Sequence, residues 1–182
     1  MKKKIIIGIV VALAIVILYT VYSFMTTTRH SPADQVVYSK NDFTMTVDYC
    51  RPYKKDRLIF GEKSDGALVP FDNYWRTGAN DATEIRFNKN VKVEGKPLEK
   101  GRYRFYTFPG KDQWTIAFNS ELDKWGYSEA DYSKDVLRVQ VPSNTSGQMT
   151  EQFTIQTEEI EDGKVACKLF WDQTQVSFTV EY

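Results

Sequence analysis

Apolar and polar residues alternate with period two from Phe43 almost to the C-terminus, and no other feature of the chain limits its fold as much. Phe43, Met45, Val47 and Tyr49 fall on one side of a strand, while Thr44, Thr46 and Asp48 fall on the other. The pattern returns at Ile85/Phe87, Val91/Val93, Tyr103/Phe105, Trp114/Ile116/Phe118, Leu137/Val139/Val141 and Phe153/Ile155. It closes with Val165/Cys167/Leu169/Trp171 and Val176/Phe178/Val180. Turn pairs separate many of these runs: Glu94-Gly95, Lys100-Gly101, Pro109-Gly110 and Asp162-Gly163. About nine short strands, each with one polar face and hairpin connections, predict an all-β domain. The expected architecture is an antiparallel β-sandwich of jelly-roll type, with its strand order left open. Ser120 to Asp135 lacks the alternation and reads as a long loop with a helical turn.

A different pattern precedes the domain. Lys2, Lys3 and Lys4 lead into IIIGIVVALAIVILYTVYSFM, which carries no charge from Ile5 to Met25. A helix over that run rises about 30 Å, the thickness of a bilayer's hydrocarbon core. Its small residues lie mid-run and bulky Tyr22, Phe24 and Met25 occupy its exit, so an uncleaved anchor is favoured over a signal peptide. The three lysines favour a cytoplasmic N-terminus and a periplasmic or extracellular domain. The expected organisation is a basic stub over residues 1–4, a transmembrane helix over 5–25, a spacer over 26–41 and the β-domain over 42–182. No cysteine closely follows the apolar run, so a lipoprotein is not indicated.

Several chemistries are excluded by composition. Of 24 basic residues three are the N-terminal lysines, so the remainder is slightly acidic against 24 carboxylates, and nucleic acid is not an expected partner. The one histidine, His30, lies in the spacer. A histidine metal site or a Ser-His-Asp or Cys-His arrangement therefore has no ligand or base within the domain. There is no P-loop, no dinucleotide-binding glycine pattern and no EF-hand spacing, so neither metal nor cofactor is expected. Cys167 shares the apolar face of its run, whereas Cys50 falls out of phase at a strand end. Opposite phases argue against a bridge between them.

Polar groups concentrate at strand ends in two stretches, YCRPYKKDRLIFG (Tyr49 to Gly61) and DNYWRTGANDATEIRF (Asp72 to Phe87). Arg51 and Arg76 suit a carboxylate, phosphate or sulfate, Tyr74 and Trp75 offer faces on which a sugar could stack, and Asn80 and Asp81 offer orientation. These six residues form the candidate ligand site. The competing reading is structural: Trp75 as core, Arg76 paired with Asp81 or Glu84, and Asn80 satisfying loop backbone. Three functions stay open. One is a binding module for a glycan or small anion, and another is an assembly domain docking an envelope protein. The third is a hydrolase using Asp81, Glu84 or Asp72 without histidine.

The same residues carry a family resemblance. YCRP, DRLIFG, LVPFDNYWRTGANDAT, GRYRFYTFPGKDQWTIAFN, the Trp125-Gly126 pair, DVLRVQV and the closing WDQTQVSFTVEY together resemble the DUF2911 family of bacterial proteins of unassigned function. The likeness runs from about Phe43 to Tyr182. It implies an extracytoplasmic all-β domain in which WRTGAN is the defining stretch, and it implies no substrate, cofactor or reaction.

Overall fold

The computed structural model describes residues 2–182. Helix α1 runs Lys2–His30, with a stretch from Lys3 to Ser23 long and apolar enough to cross a membrane. Its described apolar side chains are exposed all round, and none of the described helix residues belongs to the domain's core. A helix that is hydrophobic on every side is stable only when something apolar surrounds it.

Eleven strands follow: β1 (Ala33–Lys40), β2 (Phe43–Cys50), β3 (Phe60–Gly61), β4 (Val69–Pro70), β5 (Glu84–Phe87), β6 (Val91–Val93), β7 (Lys96–Leu98), β8 (Gly101–Phe108), β9 (Gln113–Asn119), β10 (Asp135–Glu161) and β11 (Lys164–Glu181). Nine of them form one antiparallel sheet in the order β1-β2-β5-β8-β9-β10-β11-β6-β7, and β3 with β4 forms a small parallel pair. The turning element is β10. Its first part, Asp135 to Pro142, pairs with β9, and its continuation from Ser143 pairs with β11. Register shifts between Thr145 and Thr154 mark where the strand bends.

That bend folds the sheet back over one core. Phe178 on β11 packs against Phe105 and Phe118 at 5.7 and 6.0 Å between ring centres, and Tyr49 meets Phe153 edge-on at 5.6 Å. Phe43 stacks on Tyr182 at 3.9 Å. The period-two residues named above supply this core almost without exception.

Two features differ from the sequence reading. Strand β1 lies within residues 26–41, read above as spacer, and it pairs along its whole length with β2, from Ala33↔Cys50 to Lys40↔Phe43. It is an edge strand, so only Val36 and Tyr38 touch the core and the alternation is too faint to read. Secondly, the separate runs before and after Ser143–Thr150 are one strand, as are those on either side of Asp172, because polar residues there continue the ladder rather than turning it.

Strand β8 is buried on both faces. Phe105 points into the core, whereas Arg104 and Tyr106 lie under the loop between β9 and β10. That loop contains a short 3-10 turn at Tyr132–Lys134, whose N-cap Asp131 accepts from the Ser133 N–H.

Candidate functional site

The stretch WRTGAN closes on itself around a buried threonine. Trp75 pairs with Thr107 of β8 through two backbone hydrogen bonds, 2.8 and 3.0 Å. The Thr77 hydroxyl is held between the Trp75 carbonyl and the Thr107 hydroxyl, and the Thr83 hydroxyl donates to the Thr77 carbonyl at 2.8 Å. Gly78 sits at φ 153°, where a Cβ would stand 2.8 Å from the Cys50 carbonyl oxygen. Only glycine allows β2 to approach this turn so closely.

The turn sends neighbouring side chains in opposite directions. Trp75 enters the core, 6 % exposed. One face stacks on Trp171 at 5.6 Å and 18°, while Phe60, Trp114 and Phe153 meet it at steeper angles. Its indole N–H donates to the Gly78 carbonyl at 3.2 Å. Trp75 thus packs the interior, and its ring faces are occupied.

Arg76 points the other way and is half-buried. Its Nη1 donates to the Asn80 carbonyl at 3.1 Å, and no carboxylate lies within ion-pair distance among the described residues. Neither Asp81 nor Glu84 pairs with it. Burial pulls Arg76 below the ordinary arginine pKa; Tyr74 opposes this and the neighbouring Arg104 guanidinium adds to it. It stays charged throughout the accessible pH range. A half-buried cation without a counter-charge has lost hydration that an anion would restore.

Arg51 does not join it. Its Nε donates to the Phe153 carbonyl at 3.1 Å, its Nη2 to the Thr154 hydroxyl at 2.8 Å, and its Nη1 lies 3.2 Å from Asp34. The whole fork is spent clipping β2 to β10. Tyr74 is also committed. Its hydroxyl accepts from Arg104 Nη2 at 2.7 Å, and its ring packs on Tyr106 at 5.1 Å.

The two polar stretches nevertheless converge, through different residues. A cleft of about 380 Å³ is lined by Lys55, Arg57, Arg76, Asn80, His30 and Leu68, among others, and no Asp or Glu among the described residues lines it. Lys55 and Asp56 take φ of 50° and 56°, which turns the loop after Pro52 back on itself. Arg57 fixes that turn by donating to the carbonyls of Tyr53 and Lys54 at 2.5 and 2.9 Å. Lys55 Nζ lies 3.3 Å from His30 Nδ1, and Asn80 Nδ2 donates to the Ser31 carbonyl at 3.1 Å. Lys55 and Arg57 stand within KKDR of the quoted stretch, three basic residues in four, and that density is the signal that could have singled them out.

Asp81 falls on the far side of the same turn. It lines a second cleft of about 680 Å³ together with Asp34, Asp48, Glu84, Asp123 and Trp125. Most of those acids have partners. Asp34 holds Arg51, Asp48 accepts from Gln35 at 2.6 Å, and Arg102 takes both oxygens of Glu84 and one of Asp123. Asp72 stands apart from both clefts, at φ 59° with its N–H on the Pro109 carbonyl. Among the described residues no three His, Cys, Asp or Glu side chains gather as a metal site would need.

Cys50 is buried at the end of β2 and free, as is Cys167. Burial pushes the Cys50 thiol up, partly offset by the Asp81 N–H and the Asn80 side chain. Cys167 is pushed up to about 12 by burial alone. Neither is set up as a nucleophile.

Beside the turn, Arg104 is 1 % exposed, and sequence reading missed it because it sits out of phase in RYRFY. It donates to Tyr74 and to the Ser128 carbonyl and lies 3.7 Å from Glu121, while Nε and Nη1 find no acceptor among the described residues. The loop above is locked by Gly126, whose Cβ position lies 2.5 Å from the Asn80 carbonyl oxygen and 2.8 Å from the Ala82 nitrogen. Its flanking Trp125 is 63 % exposed.

No curated protein and no solved structure matches the chain. The turn around Thr77, the clip at Arg51 and the docked Trp125-Gly126 pair join the quoted motifs into one packed end of the sandwich. A family model covers them all: residues 31–180 match DUF2911, described as a protein of unknown function, and the chain belongs to that family.

Proposed function

We propose that the chain is a membrane-tethered binding module that captures a small anion at the cleft formed by Lys55, Arg57, Arg76 and Asn80. The N-terminal lysines favour placing the domain outside the cytoplasm. The observation that carries this reading is the lining of the cleft: Lys55, Arg57 and Arg76 belong to it and no Asp or Glu among the described residues does, while Arg76 is half-buried with no carboxylate at ion-pair distance among them. A guanidinium in that state offers a fork of N–H donors matched to two oxygens of a phosphate, sulfate or carboxylate. The surrounding domain is slightly acidic overall, so the cleft is a local reversal of charge. A neutral glycan finds little there, because Trp75 is packed in the core and Tyr74 is bound to Arg104.

The test is a calorimetric titration of the full chain, in uncharged detergent, with inorganic phosphate. Binding weakens by about tenfold or more in Arg76→Ala, as the loss of charge-assisted hydrogen bonds implies. Arg76→Lys falls between, keeping the charge but not the fork. An affinity unchanged by Arg76→Ala removes the site.

A further inference from the structure

We propose that the anion held in this cleft is the phosphate of an anionic lipid headgroup, presented by the membrane that α1 spans. The inference rests on the anion reading above and adds the source of the anion.

The chain itself sets the distance. The apolar stretch ends at Ser23 and the helix continues seven residues further to His30. Those residues rise about 10 Å. The headgroup layer of one leaflet is about 5–8 Å thick beyond the hydrocarbon core. His30 and Ser31, which line the cleft, therefore stand at the outer edge of the headgroup layer. The cleft is tied to this exit point by three contacts: Asn80 to the Ser31 carbonyl, Lys55 to His30, and the Arg51 N–H to the Pro32 carbonyl at 2.9 Å. It cannot move far from the membrane surface without breaking them.

The lining also has the two-part character of a lipid. Lys55, Arg57 and Arg76 supply the cations. Leu68, 43 % exposed, stands on the same cleft beside buried Val69, Trp75 and Trp171. A free inorganic anion has no use for an exposed leucine, whereas the glycerol and upper acyl carbons of a lipid can cover one. Because the rest of the domain carries a slight net negative charge, an anionic membrane favours the end that carries this cleft.

The full chain is reconstituted into three preparations: phosphatidylcholine vesicles, the same vesicles containing phosphatidic acid, and phosphatidylcholine vesicles with inorganic phosphate added. Hydrogen exchange is followed at the amides of Arg76 to Asp81. Phosphatidic acid slows exchange there by about tenfold, the protection given by a ligand at ten times its Kd. The protection disappears in Arg76→Ala and survives in Arg51→Ala. If added phosphate protects these amides and phosphatidic acid does not, the anion site stands and the lipid source is overturned. If neither protects, both fall. Equal protection by phosphatidic acid in Arg76→Ala shows general attraction to a charged surface and overturns the specific site.

Discussion

Two arginines that look alike in the sequence have different work in the fold. Arg51 and Arg76 each follow a strand or bridge end within a polar stretch. Arg51 spends three nitrogens on Phe153, Thr154 and Asp34, and the first two bonds join segments about a hundred residues apart in the chain. Arg76 makes one bond, to a carbonyl four residues away. Arg51→Ala is therefore expected to cost about 2–3 kcal/mol of stability, since it strands a buried carbonyl and a charge partner. Thermal unfolding of the full chain reads this as a fall of several degrees, with phosphate affinity unchanged. A stable Arg51→Ala protein that has lost phosphate binding would reverse the two roles.

The sequence leaves the different directions of Arg51 and Arg76 open for a physical reason. Residue type and spacing were enough to mark both arginines as candidates. Where each guanidinium points depends on β10 passing beside the end of β2, and nothing local to Tyr49–Gly61 encodes that crossing. Trp75 shows the same limit from the other side. Its sequence allowed both a stacking platform and a core residue, and the deciding partners, Trp171 and Phe153, lie far along the chain.

At the scale of elements, the loop between β9 and β10 is the part most dependent on a few contacts. Gly126 lets it sit directly on the backbone of Asn80 to Ala82. Gly126→Ala forces that contact apart, and overpacking of this kind costs about 1–3 kcal/mol. Limited proteolysis between Ser120 and Asp131 is expected to quicken by about tenfold, while the core's unfolding temperature moves little. Unchanged cleavage would mean that the loop is not docked on the turn.

The same loop carries a pH dependence. The Glu121 carboxylate accepts the Asp131 N–H and lies 3.1 Å from Lys134, and these partners hold its pKa below the ordinary glutamate value. Asp131 is lowered likewise, first by the Ser133 hydroxyl and N–H. Lysines 124 and 134 and Arg104 face Glu121, so its protonation removes that anion from all three, and Lys134 keeps only Asp131 at 3.6 Å. A depressed folded-state pKa means the contribution is present above the unfolded value, about 4.3, and is lost as pH falls through the lower folded one. Near-ultraviolet circular dichroism of Tyr106 and of the loop's own Tyr132, stacked on each other at 5.9 Å, should weaken on acidification below about pH 4. Glu121→Gln should show the weakened signal at neutral pH. A flat signal down to pH values where the whole domain unfolds would contradict this.

Elements differed in how legible they were. The core strands announced themselves because one face meets an apolar layer and the other meets water, which imprints period two on the chain. Strand β1 was invisible because an edge strand with only two partly covered apolar residues leaves almost no such imprint. Strands β10 and β11 were read in pieces because a bulged bend carries polar residues that resemble a turn. The unpatterned stretch after β9 was correctly legible as a loop, yet its docking partner was not, since Gly126 contacts a turn some forty-five residues earlier.

At the scale of the whole molecule, the fold brings one end of the sandwich to the point where the chain leaves its apolar helix. The turn around Thr77, the KKDR loop and the residues at the end of α1 meet there, and Lys55, Arg57 and Arg76 line a cleft with no acid in its lining among the described residues. The slightly acidic remainder of the domain makes that end electrostatically distinct. On the proposal above, an anchored domain so arranged would read anions at a fixed height above the bilayer.

The most direct measurement is nuclear magnetic resonance of the arginine Nε–Hε groups in the full chain, held in uncharged detergent, as inorganic phosphate is added. The account predicts that the Arg76 signal shifts and saturates, while Arg51 and Arg57, whose Nε–H groups already donate to carbonyls, and Arg104, sealed under the loop, stay in place. Saturating shifts at Arg51 with Arg76 unmoved, or no saturable shift at Arg76, would contradict it.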